Sequence, residues 1–73
     1  MSTEFDYSKL RGRIIEKYGS QKNFISVIPL GEPAFVQKMK GRVAFKNNEI
    51  MLMAEKLDIN KTEIPDYFFC LKD

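Results

Sequence analysis

Between residues 7 and 18 the apolar positions Tyr7, Leu10, Ile14 and Tyr18 recur at intervals of three and four, the spacing of one helical face. Asp6 supplies N-cap chemistry ahead of this stripe and Gly19 a stop behind it. Lys9, Arg11, Arg13, Glu16 and Lys17 fall mostly on the other side, which reads either as a solvated helix face or as a surface for phosphate groups. Ser20 is a second N-cap, and Phe24, Val27 and Ile28 predict a helix of about two turns that Pro29 ends. Pro29, Leu30 and Gly31 form a break. A third helix is predicted from Glu32, because an acid followed by Pro33 suits a first turn, and Phe35 and Met39 then lie one turn apart ahead of a stop at Gly41.

Arg42, Val43, Ala44 and Phe45 read as a link in which Phe45 plugs the core. Ile50, Met53, Ala54 and Leu57 then mark an amphipathic helix over 47–57. Asp58, Ile59 and Asn60 carry capping chemistry, and a last short helix, interrupted by Pro65, is expected from 61 to about 67. It runs into the aromatic tail Tyr67, Phe68 and Phe69, read either as a cap on the core or as a dimer surface. Five helices, short links and no alternating strand pattern predict a compact all-α bundle, one domain over 1–73 with a flexible N-terminus at 1–5.

The chain has 73 residues, 44% hydrophobic and 30% charged, too few to build a scaffold and a deep catalytic cleft together. It contains no His, no Trp and one Cys, which removes the commonest general base, most zinc sites and any internal disulfide. Asp6, Glu16, Glu49, Glu55, Glu63 and Asp66 form no motif that would pair carboxylates around a substrate. The expectation is a non-enzyme with no cofactor, metal or small-molecule substrate, and with Cys70 as a small packing residue. The polar, acidic start lacks a leader pattern and no run approaches the roughly 20 apolar residues of a membrane span, so a cytoplasmic protein is expected. A net charge of +2 is weaker than the field of most DNA-binding domains and leaves nucleic acid open as a partner.

A longer helix, a short helix opening at Ser20-Gln21, a break, and a third helix closing on Met39-Lys40-Gly41 together resemble the Cro/repressor-type, lambda-repressor-like helix-turn-helix family. The resemblance is nearest to small phage proteins of Gram-positive hosts of the modulator-of-repression or antirepressor kind. It is carried by the opening Phe5-Asp6-Tyr7-Ser8-Lys9-Leu10-Arg11-Gly12-Arg13-Ile14 and the closing Tyr67-Phe68-Phe69, and covers nearly the whole chain. Gln21-Lys22, Phe24, Lys38-Met39, Gly41, Val43, Phe45, Glu49-Ile50 and Leu57 fit the same pattern. It implies a five-helix domain acting in a lysis/lysogeny switch, with 21–28 as the first motif helix and a recognition helix from Glu32.

Departures from the DNA-reading members of that family set the site. Ile25 stands where a small residue usually lets the motif helices approach, and Pro29 where a glycine usually supplies positive φ, leaving Gly31 as the candidate for that conformation. Of Glu32, Pro33, Ala34, Val36 and Gln37 on the recognition helix, only Gln37 is a good reader of base edges. Pro29, Leu30, Pro33, Ala34 and Val36 instead read as the apolar centre of a protein interface, with Glu32, Gln37, Lys38 and Lys40 as its polar rim, although Leu30 also fits the core. Lys22, Lys38, Lys40, Arg42 and Lys46 are the residues that could meet phosphates. The expected partner is the N-terminal DNA-binding domain of a phage repressor. The alternative is operator DNA, bound as a Cro-like repressor or in a joint complex. Under the first reading Val36→Asp is expected to abolish binding and spare the fold.

Overall fold

Leu10 and Ile14, one turn apart, are both fully buried on α1 (Ser8–Tyr18), with Tyr7 buried just ahead of them. In the computed structural model, which describes residues 5–71, this helix is followed by α2 (Gln21–Ile25), α3 (Glu32–Met39), α4 (Asn47–Lys56), a 3-10 turn (Lys61–Glu63) and α5 (Ile64–Phe68). The architecture is all-α, as the apolar spacing predicts. Its one extended pairing among the described residues is an isolated antiparallel bridge of Phe5 with Leu71, beside which the Asp6 amide donates to the Cys70 carbonyl at 2.5 Å. Residues 1–4 of the expected flexible N-terminus lie outside the described residues. Phe5 itself is half-buried against the core and stacks edge-on with Phe69.

Among the described residues, five of the fifteen buried core side chains are aromatic. Edge-to-face or tilted contacts run from Tyr18 to Phe24, Phe24 to Phe35, Phe35 to Phe45 and Phe45 to Phe68, with centroids 5.1, 6.1, 6.5 and 5.6 Å apart. Each ring buries more apolar area than an aliphatic side chain, which is how so short a chain reaches a continuous core. Met53 of α4 and Leu57 just beyond its end are buried in the same core.

Local chemistry sets the helix ends. The Ser20 hydroxyl accepts from the Asn23 amide at 3.1 Å, the N-cap expected there. At α1 the cap position is Tyr7, and Asp6 acts one residue earlier by accepting from the Ser8 amide at 2.9 Å. Beyond α3 the Gly41 amide bonds to the Lys38 carbonyl and the Arg42 amide to that of Gln37, a Schellman ending with Gly41 at φ 81. The same two bonds close α4 around Asp58, at φ 54 the one non-glycine with positive φ among the described residues. Gly41→Ala is expected to cost about 1 kcal/mol from backbone strain alone, since no atom lies within 4 Å of the added methyl. Gly12→Ala, in open space within α1, should stabilise by about 1 kcal/mol. Urea titrations of both variants check this contrast, and equal midpoints would refute it.

Several expectations are corrected. Pro65 lies in the first turn of α5, where its missing amide costs nothing, and so starts that helix instead of interrupting it. The first motif helix ends at Ile25 and not at 28, leaving Val27 41% exposed. Cys70 is exposed and free, beyond α5. Of the aromatic tail, Phe68 is buried, Tyr67 packs against the core and Phe69 is half-exposed. Part of the charged side of α1 is engaged within the fold, while Lys9 and Arg11 are exposed. Arg13 donates to the Leu57 carbonyl at 2.9 Å and the Asp58 carbonyl at 3.2 Å, Tyr18 donates to that of Lys56 at 2.8 Å, and Lys17 pairs with Asp58. These cations and hydroxyl satisfy and oppose the negative end of the α4 dipole.

Candidate functional site

Phe24 fixes α2 and Phe35 fixes α3, and their edge-on contact holds the two helices together. On α3 the inward positions are Phe35, Lys38 and Met39, spaced three and four apart, so the helix can turn only the other side outward. Glu32, Pro33, Ala34 and Lys40 are exposed there, while Val36 and Gln37 are half-buried at its margins.

The turn over residues 26–31 departs from the expectation for Gly31. Gly31 is extended, at φ −70 and ψ 155, and no residue between α2 and α3 has positive φ. The chain instead winds down from α2 through the bonds of the Val27 amide to the Phe24 carbonyl and of the Ile28 amide to that of Ile25. Ile28 is buried and Leu30 half-buried against the core, which pins the turn beside Leu52 and Met53 of α4 and leaves Pro29 outside. Ile25, the bulky residue of the motif, is half-buried and packs on the same core. Proline at 29 is compatible with this wider turn because nothing in it demands a left-handed residue.

The exposed apolar atoms on this side therefore come from Val27, Pro29, Pro33 and Ala34, bordered by the carboxylate of Glu32. Val27 was hidden from sequence reasoning by its place in the Phe24, Val27, Ile28 stripe, which would face inward only if α2 ran to 28. Leu30 belongs mainly to the packing under the turn.

Lys38 requires a correction, both as a rim residue and as a phosphate contact. It is 5% exposed, and its ammonium donates to Glu49 Oε1 at 2.5 Å. The same oxygen accepts from the Lys46 amide at 2.8 Å at the start of α4. Burial pushes the Glu49 carboxyl up, but the hydrogen bonds from Lys38 and the Lys46 amide, with the charges of both lysines, outweigh it and hold the carboxyl below its ordinary value. Lys22, Lys40, Arg42 and Lys46 are exposed, and none of them joins an ion pair among the described residues. The described residues contain no cluster of three or more His, Cys, Asp or Glu that could hold a metal, and no helix long and apolar enough to cross a membrane.

Residues 1–70 match the family described as "Protein of unknown function (DUF739)". No curated protein matches the chain. Among solved structures it is similar to the modulator of repression (MOR) of the temperate bacteriophage TP901-1 from Lactococcus lactis, at 39% identity over 90% of this chain and 89% of that one, with a TM-score of 0.74.

Proposed function

The chain belongs to the DUF739 family, and from its likeness to a phage modulator of repression we propose that it is itself a modulator of a phage repressor in a lysis/lysogeny switch. It works in the cytoplasm of the bacterial host as a binding protein and not as an enzyme. Its partner is the repressor's N-terminal DNA-binding domain, met by the outer edge of α3.

The observation that carries this reading is the chemistry of that edge: Pro33 and Ala34 are exposed where a DNA reader needs hydrogen-bonding side chains. Apolar groups at the centre with Glu32, Gln37 and Lys40 around them suit a protein surface, and Glu32 favours a partner whose own DNA-reading face is basic. Phe35, Met39 and the Lys38–Glu49 pair hold α3 rigid before contact, so little ordering cost attends binding. The mechanism is competition: a repressor whose recognition surface is covered by α3 releases its operator.

A second reading, a Cro-like DNA binder, draws on exposed Lys22, Lys40, Arg42 and Lys46. Calorimetric titrations separate the two. The expected result is saturable binding to the repressor's N-terminal domain that persists at moderate salt, with no binding to switch-region DNA alone. Site-specific DNA binding that falls steeply with salt, together with no response to the repressor domain, would replace the first reading by the second.

A further inference from the structure

A cleft of about 160 Å³ is lined by no residue of α3. Tyr7, Phe45 and Phe68, all buried, form its floor, and the more exposed Val43, Ala44, Phe5 and Phe69 line it as well. Val43 and Phe69 are each 49% exposed, and Leu71, paired through its backbone with Phe5, is 56% exposed. Two of the six large exposed hydrophobic side chains among the described residues, Val43 and Phe69, thus line one opening. Solvated apolar groups scattered singly are ordinary; a concave aromatic-lined group of them is a binding feature.

The charge around it narrows the ligand. No carboxylate occurs from Pro33 to Asn48, a stretch with four cations. Lys38 is withdrawn by Glu49, leaving Lys40, Arg42 and Lys46 exposed and outside any ion pair among the described residues. Each adjoins a residue that lines the cleft: Lys40 and Arg42 flank Gly41, and Lys46 follows Phe45. Asp6, which stands in the chain between the lining residues Phe5 and Tyr7, accepts from the Ser8 amide at the start of α1. An apolar cleft of about 150 Å³ holds a benzene-sized group, which is the size of a single leucine or phenylalanine side chain. A phosphate would satisfy the cations and leave the aromatic floor empty.

We propose that this cleft docks an acidic peptide segment, which seats one leucine or phenylalanine side chain between Val43 and Phe69 while its flanking carboxylates meet Lys40, Arg42 and Lys46. The site is separate from the α3 edge, so it stands or falls independently of repressor binding. A modulator with two faces could hold a repressor on one and a second acidic segment on the other.

The test is NMR titration of the intact, isotope-labelled protein with a short acidic peptide carrying one central phenylalanine. A second peptide has alanine at that place, and a third is a charge-inverted version with lysines for the acids. The expected result is saturable shifts confined to Phe5, residues 41–45 and residues 69–71 for the first peptide only. Val43→Glu should abolish them without altering the spectrum elsewhere, since Val43 is half-exposed. Arg42→Glu should weaken the affinity about fivefold. The proposal is overturned by equal shifts with the alanine peptide, which would mean unspecific charge attraction, or by no shifts at all. It is likewise overturned if duplex DNA and not the peptide moves these residues, or if they shift on dilution without peptide, which would assign the face to a second copy of the chain.

Discussion

Glu49→Ala lowers the free energy of unfolding by about 3 kcal/mol, because it strands a buried ammonium. Side-chain exposure in the Lys38–Glu49 pair is 7% and 11%, and the carboxylate also serves the first free amide of α4. A domain of this length is held by about 4 to 11 kcal/mol, so the loss is a large share of the whole. Lys38→Met should cost less, since Glu49 keeps the Lys46 amide, and Lys38→Met with Glu49→Leu should recover most of the loss, because no charge then remains inside. Urea denaturation measures all three, and a cost below about 1 kcal/mol for Glu49→Ala would mean that water reaches the pair. The pH dependence has a fixed sign. Glu49 titrates below its ordinary 4.5 in the folded state, so its contribution is complete above that value and disappears as pH falls through the lower folded one. Asp58 acts in the same direction through its hydrogen bond from Lys17. The difference between wild type and Glu49→Ala should therefore narrow below about pH 4.

That pair also marks the limit of what the sequence discloses. Apolar spacing locates α1, α3 and α4, and Gly19, Ser20 and Gly41 end or open helices as their conformational preferences require. These signals are local, and a chain of short helices is mostly local in its logic. The sense in which a charged residue points is not local. Lys38 sits between Gln37 and Met39, in a stretch that reads as polar rim, and only the approach of α4 shows that it faces inward to Glu49. Arg13 and Lys17 pose the same problem, since their acceptors at Leu57 and Asp58 are forty or more residues away. The early end of α2 is a third case: Val27 follows the helical period, but the chain has left the helix by then, and the stripe is broken without any breaker before Pro29. At the candidate site, the exposure of Pro33 and Ala34 follows from the period of Phe35 and Met39, whereas the aromatic cleft joins the two ends of the chain and leaves no trace in spacing.

Ala34→Arg should weaken binding to the repressor's N-terminal domain by at least about a hundredfold, near 2.7 kcal/mol, by placing a hydrated cation in the desolvated centre of the interface. It is a sharper probe than Val36→Asp. Val36 is half-buried, so an aspartate there meets the core as well as the partner, and loss of binding would be mixed with loss of fold. Ala34 is exposed in the first turns of α3, and arginine is a good helix former, so the fold should hold and a urea midpoint can confirm it. The same substitution has the opposite sign for the competing function. On a recognition helix in the major groove an added arginine gains phosphate or guanine contacts and raises affinity for DNA. One variant measured against both ligands thus distinguishes them: weaker repressor binding with DNA still unbound supports the modulator, and tighter DNA binding with no effect on the repressor domain places α3 in a groove.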